Sequence, residues 1–187
     1  MCDRWIWPLP IQYWRTRVST NQPYLVRDVF TPEQKLAYKQ KTKSHRVVDP
    51  QTSYVMVDML RGVIEQGTGR GVRSAGFRRP CAGKTGTTND YRDAWFIGFT
   101  PRLVCAVWVG YDDNRPMKTK WNSGVTGAVA ALPVWTRFMK QAMQNEPYTD
   151  FPIPPGIQFK KVDATTGEPV TPEQSGMPVA VRIKKNL

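Results

Sequence analysis

Apolar residues recur at every third or fourth position between residues 49 and 67, which is the spacing of one face of a helix. Asp49 is a typical N-cap, Pro50 suits the first helical position, and Gly67 is a typical C-cap. We therefore predict a helix here, and its apolar stripe consists of Met56, Met59, Leu60, Val63 and Ile64.

Three apolar runs follow, at residues 80–88, 94–99 and 103–111, and they have the length and composition of β-strands. The connection at residues 100–102 is short enough for a hairpin, so the last two runs should be antiparallel neighbours. Because these two runs are apolar at nearly every position, we expect the strands to be covered on both faces.

A second helix is predicted at residues 127–143, and it can supply one of those covers. Pro133 should kink or restart this helix, because proline removes a backbone donor and crowds the preceding turn. The apolar residues at helical spacing are Val129, Leu132, Trp135, Phe138 and Met139.

The two ends of the chain are patterned differently. Residues 23–41 place two short β-forming runs on either side of a proline-containing turn, which predicts a hairpin. Residues 1–22 fit neither a helical nor an alternating period. Residues 151–187 are rich in proline and are predicted to be a trailing appendage with one small hairpin that turns at Thr166-Gly167.

Composition indicates a folded, basic chain. Its 187 residues are 40% hydrophobic, and Lys plus Arg outnumber Asp plus Glu by 27 to 15, which favours acidic partners such as nucleic acid, anionic lipid or carboxylate-bearing polymers. Cys2, Cys81 and Cys105 match no metal spacing and are interpreted as free thiols. With a single histidine, no zinc cluster is predicted, and no cofactor is expected. No membrane span or secretory signal is visible.

The most informative stretch is "AGKTGTT", which begins at residue 82. A phosphate-binding loop is excluded, because that motif needs a glycine five residues before Gly83 and the chain has Arg78 there. The alternative is a Lys-Thr-Gly strand, in which a lysine and hydroxyl groups bind an anionic substrate beside a serine nucleophile.

The context favours the second interpretation. "GTG" at residues 67–69, "AGKTGTTNDYRDAWFIGFTP" and "VWVGYDD" closely resemble the C-terminal part of the transpeptidase domain of class A (bifunctional) penicillin-binding proteins. The resemblance covers about residues 23–160. It implies an α+β, β-lactamase-like fold in which this chain contributes three antiparallel strands of a five-stranded sheet, with covering helices. The partial transpeptidase domain would span residues 23–150.

The same resemblance implies an active site. Lys84 and the backbone N–H of Thr87, which would contribute to an oxyanion hole, are the implied catalytic groups. The implied substrate-binding residues are Gly67, Thr68, Gly69, Thr85, Gly86, Thr87 and Thr88. The implied reaction crosslinks peptidoglycan by acyl transfer from D-Ala-D-Ala stem peptides through a serine ester, which β-lactams would also form. The implied location is the periplasmic face of the bacterial inner membrane, and nucleic acid is not expected as a partner.

The sequence departs from this family in its nucleophile. No serine has a lysine three residues later, as the Ser-x-x-Lys motif requires, so the chain is expected to be an inactive C-terminal fragment. Ser19-Thr20-Asn21 fits the second motif, Ser-x-Asn, but lies closer to Lys84 than the family places it. A shifted reading frame at "QYWRTRV" permits a family-like string, so we expect residues 1–22 to be an out-of-frame start.

Other interpretations stay open at this point. A basic, non-catalytic module that binds nucleic acid or another anionic polymer is supported by the charge and the aromatic residues. The strand aromatics Trp95, Phe96, Trp108 and Tyr111 are interpreted as core. The arginines at positions 70, 73, 78, 79 and 92 could steer carboxylate-rich substrates or solvate a loop.

The strand at residues 103–111 is expected to leave an apolar edge through which the chain associates with itself. Replacing Val107 with lysine should then raise solubility.

Overall fold

The computed structural model describes residues 19–21, 25–41, 44–163, 165–171 and 175–182. Cys2 and most of the segment without a period lie outside these residues. Within the described ranges, no helix is long and apolar enough to cross a membrane.

Two short antiparallel ribbons precede the first helix. β1 (Ser19–Asn21) pairs with β4 (Ser44–Arg46), and β2 (Asp28–Phe30) pairs with β3 (Leu36–Lys39). The second pair confirms the hairpin predicted over residues 23–41. Most of its side chains are exposed, although several of them are apolar.

The predicted first helix is confirmed as α1 (Pro50–Glu65). The Asp49 carboxylate accepts hydrogen bonds from the backbone N–H and the hydroxyl of Thr52, at 2.9 and 2.6 Å. This cap satisfies donors that the first helical turn leaves unpaired. The C-cap is Gln66 rather than the predicted Gly67, whose backbone is not left-handed.

A three-stranded antiparallel sheet forms the centre of the fold, in the order β5 (Ala82–Thr87), β6 (Asp93–Phe99) and β7 (Val104–Gly110). These strands match the three predicted runs to within two residues at each end. Lys84 of β5 lies opposite Ile97 of β6. The predicted α+β class, with three antiparallel strands and covering helices, is confirmed.

A short helical turn, α2 (Gly71–Ser74), leads toward the sheet, and α3 (Ala131–Ala142) covers one of its faces. Trp135 of α3 is fully buried, lies 5.1 Å from the Phe96 ring between centroids, and donates its Nε1 hydrogen to the Cys105 carbonyl oxygen at 3.0 Å. This confirms the second predicted helix.

The helix α3 starts beside Pro133 and is not kinked by it. Pro133 lies in the first turn, where a helix has no internal partner for the missing N–H. Two predicted apolar positions are exposed, Val129 by 60% and Phe138 by 48%. Val129 precedes the helix, and Phe138 lies beside the buried line, which consists of Ala131, Leu132, Trp135, Thr136 and Met139.

The described residues cover the opposite face of the sheet at one end only, so the expectation of two full covers is wrong. Ala82 and Phe99 pack there in a core cluster with Tyr54 and Phe151. Farther along the same face, Ala106 is exposed. The sequence could not indicate this, because an apolar strand does not show whether other segments pack along its whole length or only at one end.

Only one of the four strand aromatics interpreted as core, Phe96, is buried. Trp108 and Tyr111 are each 43% exposed. Trp108 donates its indole N–H to the Asp93 carboxylate at 2.8 Å, and the Arg115 guanidinium lies 4.0 Å from the centre of the Tyr111 ring. Polar partners at the strand ends therefore hold these two rings at the surface.

The last two strands, β8 (Ile157–Val162) and β9 (Met177–Arg182), form an antiparallel hairpin. The turn that leaves β8 is closed by the Gly167 N–H, which bonds to the Asp163 carbonyl oxygen at 2.9 Å. Gly167 has a φ of 75°, a conformation that favours glycine. The predicted turn at Thr166-Gly167 is confirmed.

The hairpin packs on α1 and decides which face of that helix is buried. Ala180 of β9 donates its backbone N–H to the Asp58 carboxylate at 2.8 Å, and the Phe159 ring meets Tyr54 edge-on at 6.3 Å. The predicted apolar stripe is therefore displaced, and Met59 in it is 62% exposed. The buried residues of α1 are Ser53, Tyr54, Val57 and Ile64.

Candidate active site

The predicted active-site strand, β5, lies at one edge of the sheet. Lys84 is exposed, and its ammonium group donates to the backbone carbonyl of Thr85 at 2.7 Å and to the Thr85 hydroxyl at 3.3 Å. The ammonium group is thus folded along its own strand. To bind an anion in front of the strand, the Lys84 ammonium would break only these two solvent-exposed hydrogen bonds.

The Gly-Thr-Gly loop, residues 67–69, reaches the same hydroxyl. The side-chain oxygens of Thr68 and Thr85 are 2.8 Å apart, close enough for one hydroxyl to donate to the other. Lys84, Thr85 and Thr68, which are separated in the sequence by up to 17 residues, therefore form one cluster of polar groups.

Both glycines of this loop lie against the last turn of α1. A Cβ atom at Gly67 would be 2.9 Å from the Val63 Cα atom, and one at Gly69 would be 3.1 Å from the Val63 carbonyl oxygen. The Gly67 N–H still bonds to that oxygen, at 3.1 Å, which is why the chain turns tightly here instead of taking a left-handed C-cap. These contacts hold Thr68 at the level of Thr85.

Arg73 holds the loop together from behind. Its guanidinium forms two-point hydrogen bonds with the Glu65 carboxylate and donates to the carbonyl oxygens of Phe77 and Arg79, at 2.8 and 3.0 Å. The group thus ties the end of α1 to the chain that enters β5.

Arg79 also has a structural role, because it donates to the carbonyl oxygens of Glu146 and Pro147. The guanidinium groups of Arg73 and Arg79 thus bond within the protein, so neither arginine serves only to solvate a loop.

The remaining predicted site residues lie at the far end of β5. A Cβ atom at Gly86 would be 3.1 Å from the Trp95 Cβ atom, so glycine leaves that ring in place. The Thr88 hydroxyl oxygen accepts hydrogen bonds from the backbone N–H groups of Asp93 and Arg92, at 2.9 and 3.2 Å, and so closes the turn into β6. The Thr87 hydroxyl oxygen accepts from the Gly127 N–H at 3.1 Å.

Gly127 is the site residue that the sequence analysis missed. A Cβ atom there would lie 2.1 Å from the Trp95 carbonyl oxygen and 2.6 Å from the Gly86 carbonyl oxygen. Only glycine therefore fits between α3 and the paired ends of β5 and β6. The sequence offers no signal for this, because Gly127 looks like an ordinary glycine at the start of the predicted helix, which in the structure begins only at Ala131.

The Ser-x-Asn match at residues 19–21 forms β1, which belongs to the ribbon with β4 and not to the sheet that carries Lys84. Within the described part of the chain, no group of three or more His, Cys, Asp or Glu side chains is arranged to hold a metal ion.

The cysteines Cys81 and Cys105 are free, which confirms their interpretation as thiols. Cys81 is fully buried just before β5, and Cys105 lies on β7, two strands away. Burial raises the pKa of the Cys81 thiol to about 11, although the nearby Arg73 guanidinium opposes the shift. Burial also raises the pKa of Cys105.

We expect Cys81 to resist iodoacetamide at pH 8 in the folded chain and to react at an ordinary rate in urea, which mass spectrometry of the digested chain can measure.

Because its folded pKa of about 11 exceeds the ordinary 9.0, the stability contributed by Cys81 should be complete below pH 9 and decline toward pH 11. The unfolding free energies of the parent and of Cys81→Ala should therefore converge over that range. A difference that stays constant with pH would contradict this.

Comparison with known proteins gives one consistent result. Residues 11–132 match the family model of the penicillin-binding protein transpeptidase domain. The match starts twelve residues before the point where the resemblance was expected to begin.

Curated relatives and solved structures agree. Penicillin-binding protein 1A of Pseudomonas aeruginosa is 39% identical over 136 residues, and that of Rickettsia prowazekii is 40% identical over 128 residues. These alignments cover 72% and 68% of this chain but only 16% of each relative. The crystal structure of penicillin-binding protein 1A from Haemophilus influenzae is similar over 95% of this chain and 32% of its own, with a TM-score of 0.77 at 22% identity.

A second solved structure, PonA1 of Mycobacterium tuberculosis in complex with penicillin V, is similar over 77% of this chain and 39% of its own. Its TM-score is 0.65 at 21% identity, so this likeness concerns the fold alone.

Proposed function

The chain belongs to the penicillin-binding protein transpeptidase family, and on that premise we propose that residues 67–88 form the carboxylate-binding wall of a D,D-transpeptidase site. The observation that carries this proposal is the cluster of Lys84, Thr85 and Thr68 at an edge strand, with the two hydroxyl oxygens 2.8 Å apart. One ammonium and two hydroxyl groups are suitable donors for the terminal carboxylate of a stem peptide.

The Lys84 ammonium supplies the charge in this wall. Its present acceptors, the carbonyl and hydroxyl oxygens of Thr85, are neutral, so a substrate carboxylate is a stronger acceptor for the same donor. The Thr85 hydroxyl can then donate to the substrate while its oxygen remains bonded to Thr68.

Thr87 has two roles in the proposal. Its backbone N–H would donate to the oxyanion that forms when a serine attacks the substrate carbonyl. Its hydroxyl oxygen already accepts from Gly127, and its hydrogen can still bond to another acceptor, which we assign to the substrate carboxylate.

In the proposed reaction, a serine oxygen bonds to the carbonyl carbon of the penultimate D-Ala while the terminal D-Ala leaves with a proton. The amine of a neighbouring peptide then displaces the serine and forms the crosslink. No serine of the 187 residues is followed by lysine at the third position, so the nucleophile of the proposed site has to come from outside them. Such a reaction belongs to the periplasmic face of the inner membrane.

We further propose that β7 is an association surface. Among the described residues, β7 pairs with a neighbour on one side only, and it carries no charged or proline side chain between Val104 and Gly110. Such an edge can recruit a strand from a second copy.

We expect the chain to bind a D-Ala-D-Ala ligand without reacting with it. Saturation-transfer NMR of N-acetyl-D-Ala-D-Ala should report weak binding, at about millimolar strength or −4 kcal/mol. Lys84→Ala should weaken it by about fivefold, because the lost pair is exposed to solvent. Lys35→Ala, which removes an exposed lysine in the β2–β3 hairpin, is the matched control.

Two comparisons decide the outcome. The methyl ester of the same dipeptide lacks the carboxylate, and equal binding of ester and acid would contradict the proposed wall. A fluorescent penicillin should leave no boil-resistant label on the chain. A covalent label would show that a nucleophile is present after all, and Ser19 would be the first residue to replace.

A further inference from the structure

The segment from Met117 to Val125 forms a small hairpin outside the sheet, which we call the tip hairpin. Lys118 bridges to Gly124, and the Thr119 N–H bonds to the Ser123 carbonyl oxygen at 2.8 Å. The Thr119 hydroxyl oxygen also accepts from the backbone N–H groups of Trp121 and Ser123, at 3.3 and 3.2 Å. The tip at residues 119–123 is therefore closed by its own hydrogen bonds.

The tip hairpin is attached to the rim of the candidate site. Met117 is buried, and its N–H bonds to the Tyr91 carbonyl oxygen at 2.9 Å. Gly124 lies so close to the Tyr91 ring that a Cβ atom would be 2.1 Å from it. Three residues later, Gly127 bonds to the Thr87 hydroxyl. Both ends of the hairpin are thus joined to the region where β5 ends.

The tip presents a large aromatic ring and positive charge. Trp121 is 77% exposed, and the Lys120 ammonium lies 4.2 Å from the centre of its ring. The hairpin also carries Lys118 and no acidic residue. An indole held at the tip of an ordered turn offers a flat apolar surface without a large ordering cost.

We propose that Trp121 and Lys120 form a docking point for a carboxylate-bearing glycan strand, namely the strand that carries the stem peptide. The indole would stack on the apolar face of a sugar ring, and the ammonium would pair with a neighbouring carboxylate. This inference rests on the proposed function, because the docking point lies beside the carboxylate-binding wall. The net charge of +12 favours the approach of an anionic polymer to the chain.

Within residues 117–125, Trp121 is the only aromatic residue, which distinguishes the tip hairpin from a platform for single-stranded nucleic acid. Such platforms combine several aromatic side chains along a basic groove, so that successive bases stack. The other exposed rings near the site already have partners within the protein: Trp108 bonds to Asp93, the Tyr91 ring packs on Gly124, and the Tyr111 ring lies against the Arg115 guanidinium. Trp121 therefore fits one sugar ring of a strand better than a row of bases.

The test is co-sedimentation of the full 187-residue chain with purified peptidoglycan sacculi, with a tube without sacculi as the blank. Trp121→Ala should weaken binding by about tenfold, which is the size of one stacking contact. Tyr148→Ala, which removes another aromatic ring that is 72% exposed, should leave binding unchanged. Lys120→Ala should reduce both the affinity and its dependence on salt.

Glycan strands released from sacculi by an amidase, which removes the stem peptides, separate the two proposals when they are immobilised on beads and used in a pull-down in place of the sacculi. Loss of binding in Trp121→Ala but not in Lys84→Ala on these stripped glycans supports the docking point, whatever the dipeptide experiment gives. Equal binding of Trp121→Ala and the parent chain overturns it, even if Lys84 binds the dipeptide. A Trp121→Ala defect confined to single-stranded RNA or DNA would also overturn it and would favour a nucleic-acid surface.

Discussion

Gly127→Ala should lower the free energy of unfolding by roughly 3 kcal/mol, at the upper end of what one added methyl group costs in a packed region. The new Cβ atom would meet the carbonyl oxygens of Trp95 and Gly86, which are backbone atoms of paired strands and cannot turn aside. The chain must then move away from β5, and the bond from Gly127 to the Thr87 hydroxyl is lost with it. A urea titration measures the first effect.

The matched control for this substitution is Gly62→Ala. Gly62 lies inside α1 with no atom within 4 Å of an added Cβ atom, so alanine should stabilise the helix by about 0.5–1 kcal/mol. The same chemical change should therefore have opposite signs at the two positions. If the Gly127→Ala chain has the same urea midpoint of unfolding as the parent chain, residue 127 does not lie as close to the strands as described here.

The second large effect is expected at the edge of β7 that pairs with no other described strand. Ala106→Lys should convert an associating or poorly soluble chain into a monomer, because a lysine on an edge strand blocks pairing with another edge. Ala106 is exposed, so the lysine can extend into water. Sedimentation velocity over a range of concentrations measures the change.

The control carries the same charge away from the edge. Ala142→Lys places a lysine at an exposed position in the last turn of α3, where a positive charge is tolerated. If both lysines raise solubility equally, net charge is responsible rather than the edge. If the parent chain is already monomeric at high concentration, β7 is not an association surface.

The substitution expected from the sequence, Val107→Lys, is the wrong choice for this purpose. Val107 packs against the buried cluster under α3, so a lysine there would bury a charge or open the core. Val107 and Ala106 are adjacent in the strand, so their side chains lie on opposite faces of the sheet. Both residues are apolar, and the sequence therefore could not indicate which of them faces water.

Periodicity and caps were sufficient to predict the main elements. Asp49 and the apolar spacing predict where α1 begins, and the apolar runs around Lys84, Phe96 and Val107 predict the three strands. The polar cluster of Lys84, Thr85 and Thr68 could be predicted only through the family resemblance, because nothing in the spacing brings residues 68 and 85 together.

Contacts between distant segments could not be predicted. The buried face of α1 depends on Ala180 and Phe159, which approach from the end of the described chain. Arg73 has a structural role, because it donates hydrogen bonds to two backbone carbonyl oxygens. In the sequence, nothing distinguishes it from the four other arginines near the active-site strand. Both features depend on contacts that form only in the folded chain, and a local pattern of residues does not contain that information.

The bond from Ala180 to Asp58 joins residues 122 positions apart, and it has a consequence for the order of folding. During synthesis, the chain emerges with α1 and its glycine loop long before β9 exists. Contacts of such long separation form slowly, because a large loop must close first. The core cluster around Tyr54 therefore stays incomplete until the ribosome has released residue 180, and until then the nascent chain lacks the contact that covers this face of α1.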